Sequence, residues 1–170
     1  MNETSKNKLK IFFKEYFPYI LIIILIILIK QFVISPIIVN GESMMKTLHD
    51  KDVMLLDRIT YHNKEIKRYD IVVIDEGSEY IIKRIIALPG EEISCEGGKI
   101  FINGKKIKDS YGYGKTEDFY YKVPKNEYYV LGDNRENSMD SRYFGSFNKK
   151  DILGKTSFII FPFNRFGNKD

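Results

Sequence analysis

Cysteine and histidine are almost absent from this sequence, which holds one cysteine, Cys95, and two histidines, His49 and His62, in 170 residues. A single cysteine excludes an intrachain disulfide and a multi-cysteine metal cage. The two histidines lack metal-ligand spacing, and no histidine follows Cys95 to act as its base. We therefore predict no metal and no other cofactor, and we interpret Cys95 as a structural residue beside the turn at residues 97–98.

The sequence also lacks a basic stripe of the kind that binds nucleic acid. Its formal net charge is +4, but residues 1–30 hold five lysines and only two acidic residues. The remaining 140 residues carry 22 basic and 21 acidic side chains, interspersed along the chain. We therefore expect no nucleic-acid partner. The length, with 44% hydrophobic residues, predicts one domain preceded by an anchor.

Charged residues are missing from residues 16–29, which include ten consecutive isoleucines and leucines from Ile20 onward. This run is shorter than the ~20 residues that a membrane-spanning helix needs. The stem of Lys30 can lie along apolar surface while its ammonium reaches the lipid headgroups, so residues 32–34 can extend the span. We therefore predict a transmembrane anchor over residues 16–34, in contact with membrane lipid.

A cleaved secretory signal is the main alternative for this segment, because lysines followed by an apolar run are typical of one. However, no pair of small residues follows the run, and bulky side chains and Pro36 stand where cleavage would occur. We therefore interpret the segment as an uncleaved signal anchor of the cell membrane. Four lysines precede the span and few charges directly follow it, which predicts a cytoplasmic N-terminus over residues 1–15 and an extracytoplasmic domain over residues 35–170.

Beyond Pro36, short runs rich in Val, Ile, Tyr and Phe alternate with Gly, Asn and Asp, a pattern typical of strands and turns. The pair Asn103-Gly104 between alternating apolar residues predicts a tight hairpin. Residues 91–123 are more polar and indicate a small β insertion. We predict a mainly β, antiparallel-sheet domain with strands over residues 37–39, 52–59, 70–74, 80–88, 100–103, 106–107, 127–131 and 154–161.

Ser43 lies in the stretch Asn40-Gly-Glu-Ser-Met-Met-Lys-Thr-Leu48 and becomes a nucleophile only if a base removes its proton. Neither histidine shows a feature beyond its residue type that would make it this base. Lys46 completes a Ser-x-x-Lys pattern like that of penicillin-binding proteins and β-lactamases. The companion motifs Ser-Asp-Asn and Lys-Thr-Gly are absent, and the local sequence is a poor helix. Lys46 is therefore the weaker of two candidate bases.

The other candidate base is Lys83, in the strand-like stretch Tyr80-Ile-Ile-Lys-Arg-Ile-Ile-Ala-Leu88. Alternation along a strand places Lys83 in one apolar row, with Ile81, Ile85 and Ala87, and Arg84 in the other, with Ile82, Ile86 and Leu88. Burial in such a row lowers a lysine pKa toward the ~7 to 8 that suits a general base at neutral pH. A lysine of an edge strand that reaches solvent fits the same alternation, so the residues alone leave this choice open.

A third group of polar residues extends from Gly132 to Gly145. Turn chemistry explains its first residues. The hydrogen-bonding side chains continue through Ser138, Asp140 and Arg142, and such groups beside an active lysine could fix a hydroxyl and an ion pair. A solvated loop has the same composition, so these residues alone do not decide between the two interpretations.

Taken in order, these segments resemble type I signal peptidases, the membrane-anchored Ser-Lys proteases that remove signal peptides from exported proteins. Gly41-Glu-Ser-Met-Met-Lys-Thr-Leu48 is similar to the family's Gly-x-Ser-Met-x-Pro-Thr-Leu box, and Arg68-Tyr-Asp-Ile-Val-Val73 to Arg-Gly-Asp-Ile-Val-Val. Residues 80–90 resemble the Tyr-Ile-Lys-Arg box that ends in Leu-Pro-Gly. Residues 132–145 resemble the Gly-Asp-Asn-Arg-x-x-Ser-x-Asp-Ser-Arg box. The resemblance covers the chain from the anchor almost to the C-terminus.

The resemblance implies that Ser43 is the nucleophile and Lys83 the general base of an acyl-enzyme mechanism. It also implies that Ser138 hydrogen-bonds the lysine, that Asp140 and Arg142 brace the site, and that the backbone N–H of Ser43 contributes to the oxyanion hole. The substrate would bind extended, by β-addition, along a set of apolar strand residues: Ile37, Ile38, Val39, Ile81 and Ile82.

Three positions depart from the family pattern. Gly41 stands where some members supply a second oxyanion-hole hydroxyl, and Tyr69 replaces a usual glycine. Lys46 replaces a proline, which removes a rigid φ near the nucleophile and adds a charge. These departures bear on catalytic rate and substrate preference, and they leave the assignment of Ser43 and Lys83 unchanged.

The implied function is removal of N-terminal signal peptides from exported preproteins, by cutting after small residues at the outer membrane surface. The implied partners are signal-peptide-bearing preproteins and membrane lipid. Two alternatives stay open. One is a Ser-x-x-Lys penicillin-interacting protein that uses Ser43 and Lys46, and the other is a catalytically weak family member that acts as an assembly factor for surface proteins.

Overall fold

Two antiparallel β-sheets follow one long N-terminal helix. The computed structural model describes residues 3–32, 34–58 and 65–169. The helix, α1 (Glu3–Phe32), contains the run of isoleucines and leucines, and residues 20–27 of that run are exposed. Among the residues described, no helix combines the length and the apolarity that crossing a membrane requires. After α1 the chain is mainly β, as predicted.

The strands of the described chain are β1 (Ile34–Ile38), β2 (Val53–Asp57), β3 (Ile71–Asp75), β4 (Tyr80–Ala87), β5 (Glu92–Glu96), β6 (Lys99–Ile102), β7 (Lys105–Lys106), β8 (Phe119–Lys122), β9 (Glu127–Leu131), β10 (Phe147–Asn148), β11 (Ile152–Phe161) and β12 (Gly167–Asn168). A short helix, α2 (Ser141–Phe144), lies between β9 and β10. The predicted strand over residues 52–59 ends at Asp57, and residue 59 lies outside the described residues.

The larger sheet contains eight of these strands, in the order β1-β2-β11-β3-β4-β9-β10, with β12 paired to β11. All of its pairings are antiparallel. The long strand β11 lies between β2 and β3. A strand from near the C-terminus therefore connects the β1–β2 pair to the β3–β4 pair. Although three strands separate them in this order, the end of β1 and the middle of β4 border one groove.

The smaller sheet spans residues 92–122 and has the strand order β7-β6-β5-β8. Asn103 and Gly104 connect β6 and β7 with φ values of 49° and 73°. Two positive φ angles are what a type I′ hairpin turn requires, so the predicted hairpin is confirmed. Strands β5 and β8, which flank it, were not predicted individually within the insertion.

A bulge in β4 changes which of its side chains share a face. The register of β4 against β9 shifts between Ile85 and Ala87. Ile81 and Ile85 pack in one core cluster, whereas Ala87 packs in another. Leu88 returns to the first cluster, away from the row predicted for Arg84. The predicted rows are therefore wrong beyond residue 85, because the extra residue of a bulge turns the rest of the strand over.

Candidate active site

Ser43 lies in a tight turn that the following residues fix to the core. Met44 and Leu48 are 1% and 0% exposed and pack in a cluster that includes side chains of β2, β3 and β11. Burial of one such side chain contributes about 1.5–3 kcal/mol. The N–H groups of Thr47 and Leu48 donate to Met44 O at 3.1 and 2.8 Å and close the turn. The core therefore fixes the backbone beside Ser43 while the Ser43 side chain stays half-buried at the rim of a groove.

Lys83 lies in the middle of β4, and its side chain reaches this turn. Its Nζ donates to Ser43 Oγ at 2.8 Å, although the two residues are 40 positions apart. Only 5% of Lys83 is exposed. This burial lowers the pKa of Lys83 below its ordinary value of 10.5, and the negative charges of Asp140 and Glu79 oppose the shift. A buried lysine with a lowered pKa can be neutral and can accept the proton of the hydroxyl that it contacts.

Asp140 joins the polar loop to the end of β9. Its carboxylate accepts from the N–H of Gly132 at 2.9 Å and from Nε and Nη2 of Arg142 at 2.8 Å each. Arg142 Nη2 also donates to Arg135 O at 2.8 Å. Asp140 is fully buried, and Arg142 compensates its charge. Both residues therefore hold the polar loop at Gly132, whose backbone packs against Ser43 O.

Ser138 lies close to the loop glycine Gly132 but does not hydrogen-bond Lys83 as the resemblance implied. Its Oγ is buried and has no hydrogen-bond partner among the described residues. A Cβ built on Gly132 would lie 2.2 Å from Ser138 Oγ and 2.6 Å from Ser43 O. Only glycine therefore allows this close approach of loop and nucleophile. The hydrogen bond that Ser138 was expected to make is absent, and Lys83 bonds Ser43 instead.

A buried ion pair beside Lys83 was not foreseen from the sequence. Arg84 Nε and Nη2 donate to the two carboxylate oxygens of Asp133 at 2.8 Å each, and both side chains are fully buried. Thr47 Oγ1 donates to the same carboxylate at 2.5 Å, and Arg84 Nη1 donates to Tyr69 O at 2.8 Å. The pair therefore joins β4, the Ser43 turn and the polar loop. An arginine in an apolar row was the available signal, since such a residue needs a buried partner.

The predicted substrate-binding residues line one groove with Ser43 and Lys83. Its volume is about 730 Å³, and its walls include Ile37, Ile38 and Val39 on one side and Ile81 and Ile82 on the other. Val39 is buried, whereas 58% of Ile38 is exposed. The structure thus brings together all five apolar residues at the hydroxyl and the amine that form the hydrogen-bonded pair.

The strand edges that border this groove lack a strand partner within the described chain. β1 is the end strand of its sheet and pairs only with β2. β4 pairs with β3 along residues 80–84, whereas β9 pairs with it only from Arg84 onward. Unpaired edges on both sides of an apolar groove can accept an extended peptide by β-addition.

The other candidate bases lie in different surroundings. Lys46 places its ammonium over the ring of Tyr113, 3.9 Å from the centroid. His49 Nε2 lies 3.2 Å from a guanidinium nitrogen of Arg165, and His62 lies outside the described residues.

Cys95 is buried in the core, as a structural cysteine would be. Among the described residues, no three His, Cys, Asp or Glu side chains are grouped closely enough to hold a metal ion.

Comparison with known proteins gives consistent matches over most of the chain. A family profile described as "Signal peptidase, peptidase S26" matches residues 13–161. Signal peptidase I of Bacillus amyloliquefaciens is 41% identical over 158 residues, which cover 85% of each chain. Signal peptidase I of Bacillus licheniformis is 37% identical over an alignment that covers 99% of this chain and 98% of the relative. The crystal structure of a signal peptidase I from Enterococcus faecalis V583 is 32% identical, with a TM-score of 0.50, and covers 54% of this chain and 97% of that one.

Proposed function

The chain belongs to the signal peptidase family, peptidase S26, and is a serine endopeptidase of the type I signal peptidases, and we propose that it acts through Ser43 as nucleophile and Lys83 as general base. One observation carries this assignment: the Nζ of a lysine that is only 5% exposed lies 2.8 Å from Ser43 Oγ. No other lysine or histidine of the described chain has a hydrogen bond to this hydroxyl. Hydrogen-bonding distance and burial are the two properties that a lysine base requires.

The reaction is an acyl transfer in two stages. Neutral Lys83 takes the proton of Ser43 while Oγ attacks the carbonyl carbon of the scissile peptide bond. The backbone N–H of Ser43 stabilises the oxyanion, and Gly41 adds no side-chain donor. The C–N bond then breaks, Lys83 returns its proton to the leaving amine, and the mature protein departs. Lys83 then deprotonates a water whose oxygen attacks the acyl carbonyl. The ester bond to Ser43 Oγ breaks, Lys83 returns the proton to Oγ, and the signal peptide leaves with a new carboxyl group.

The preprotein binds as an extended strand between β1 and the first half of β4. Its backbone pairs with the unpaired edges there, and its side chains face the apolar walls formed by Ile37, Ile38, Val39, Ile81 and Ile82. Ser138, Asp140 and Arg142 act as support for the loop that carries Gly132. Shallow apolar walls at the cleavage point favour small residues before the scissile bond.

Preprotein cleavage by the full chain in detergent tests the Ser43–Lys83 assignment. Ser43→Ala and the near-isosteric Lys83→Met are each expected to lower kcat/KM by about 10⁴-fold or more, because a nucleophile and its base act as a unit. Lys46→Ala is the comparison at the other candidate lysine and is expected to lower kcat/KM by no more than about fivefold, far less than Lys83→Met. Full activity of Lys83→Met would overturn the assignment. Loss confined to Lys46→Ala would favour the penicillin-type mechanism, and an inactive parent would favour the assembly-factor role.

Residues 16–34, most of which lie in α1, anchor the enzyme in the cell membrane, with residues 1–15 in the cytoplasm and residues 35–170 outside it. In support, Ile20 to Ile27 are all 44–57% exposed, and apolar side chains in such a row are stable in lipid but not in water. The full chain is expected to remain with membranes after extraction with alkaline carbonate. Release of the full chain into the supernatant would contradict membrane attachment by α1.

A further inference from the structure

Residues 108–114, with the sequence Lys-Asp-Ser-Tyr-Gly-Tyr-Gly, lie along the polar loop that supports the site. We call this segment the tyrosine strap. Its backbone bonds the loop twice: Tyr113 N–H donates to Asp133 O, and Arg135 N–H donates to Tyr113 O, both at 2.9 Å. Asp109 pairs with Arg135 at 2.6 Å. A Cβ on Gly112 would lie 2.3 Å from the Arg135 guanidinium carbon, so the strap is packed tightly against the loop.

Tyr113 of the strap also holds the turn that carries Ser43. The Lys46 ammonium lies 3.9 Å from the centroid of the Tyr113 ring, within the range of a cation–π contact. Lys46 has a φ of 75°, which proline cannot adopt and which a non-glycine residue adopts at a cost in free energy. Asn134 N–H donates to Ser43 O at 2.9 Å. The turn, the strap and the loop therefore form a closed ring of contacts around the nucleophile.

Tyr111 of the strap contacts the turn at Tyr69, beside the buried Arg84–Asp133 ion pair. Its ring lies under the Arg84 guanidinium, 3.7 Å from the guanidinium carbon, and against the ring of Tyr69, with centroids 5.5 Å apart. Tyr69 has a φ of 74° and donates its hydroxyl proton to Lys108 O at 3.1 Å. Lys46 and Tyr69 replace the proline and the glycine of the family pattern. Both residues adopt a left-handed backbone conformation, and the side chains of both contact the strap.

We propose that the tyrosine strap is a positioning element of the active site, and that Lys46 and Tyr113 form a positioning pair that holds Ser43 in line with Lys83. This inference rests on the proposed roles of Ser43 and Lys83. The pair acts through the backbone of the Ser43 turn, and it touches neither the hydroxyl nor the amine of the dyad. The groove residues on β1 and the first half of β4 lie outside this network. Loss of the contact should therefore lower kcat and leave KM unchanged.

A double-mutant cycle on the full chain in detergent tests this pair. Lys46→Met and Tyr113→Leu are each expected to lower kcat by about two- to fivefold, the range that an exposed cation–π contact allows. The double variant is expected to be no slower than either single variant, because both remove the same contact. Lys46→Arg and Tyr113→Phe keep a cation and a ring, so they are expected to retain the parent kcat.

Lys51→Met is the matched control, since Lys51 is also an exposed lysine with a positive φ, 68°, in the same loop. It is expected to keep the parent kcat. Parent-like kcat in Lys46→Met, additive losses in the double variant, or a loss in Lys46→Arg equal to that in Lys46→Met would each overturn the proposal. Ser43→Ala and Lys83→Met in the same assay separate the two claims. Their inactivity beside a parent-like Lys46→Met would refute the strap alone, whereas their activity would refute the dyad.

Discussion

At Gly132 a missing side chain decides how closely the polar loop approaches the nucleophile. A Cβ there would lie 2.6 Å from Ser43 O and 2.2 Å from Ser138 Oγ. Gly132→Ala is therefore expected to lower the free energy of unfolding by about 1–3 kcal/mol, as overpacking does. It should also lower kcat beyond the loss of folded protein, because the turn that presents Ser43 must move. Denaturant unfolding and cleavage kinetics on the same samples measure the two effects.

Gly154 provides the comparison for that experiment. A Cβ on Gly154 would lie 2.3 Å from Asp57 O, a backbone clash of similar severity between β11 and β2. Gly154→Ala should therefore destabilise the protein to a similar extent while the folded fraction keeps the parent kcat. Equal losses of kcat in the two variants would contradict a specific role for Gly132 in placing the nucleophile.

Some residues of the candidate site could be identified from the sequence, and others could not. Ser43 could be nominated from its residue type and Lys83 from an apolar strand pattern. The missing companion motifs and the family resemblance both favoured Lys83 over Lys46. The partner of Arg84 could not be nominated, because Asp133 is 49 positions away and only the fold brings the two together. The missing Ser138–Lys83 hydrogen bond depends on side-chain geometry, which no residue pattern encodes.

At the level of elements, local sequence patterns predicted individual strands and turns. The pairings between distant strands could not be predicted from them. The β6–β7 hairpin was predictable because the Asn-Gly turn and its flanking residues are contiguous. β4 was predictable because its isoleucines form one dense run. Its bulge was not, since the shift arises only against β9, more than 40 residues later. β5 was missed because it has only Ile93 and Cys95 as buried apolar residues between polar neighbours.

The tyrosine strap could not be predicted from the sequence either, because it has no regular secondary structure of its own. Its sequence is rich in glycine and tyrosine, which is typical of an exposed loop. Its role emerges only from what it contacts: the Ser43 turn through Tyr113 and the buried ion pair through Tyr111. A loop between β7 and β8 of the smaller sheet thus reaches the site formed by the larger sheet.

Across the whole molecule, the Ser43 turn is held by segments from most of the chain. Arg165, near the C-terminus, donates to Thr47 O at 3.1 Å and to both carboxylate oxygens of Asp52. The polar loop contacts the other side of the turn through Asn134. These contacts cross sequence separations of up to 118 residues, so the site is a product of the complete fold. Composition and hydropathy could therefore predict the β class of the domain but not how its site is assembled.

The pH dependence of kcat/KM tests most directly whether a neutral Lys83 is the base. Burial lowers the pKa of Lys83 below 10.5, and only the deprotonated amine can take the Ser43 proton. Cleavage of one preprotein by the full chain is therefore expected to accelerate as pH rises, along a limb whose midpoint lies below 10.5. A profile without such a limb, or one with its midpoint at or above 10.5, would contradict catalysis by a buried, neutral Lys83.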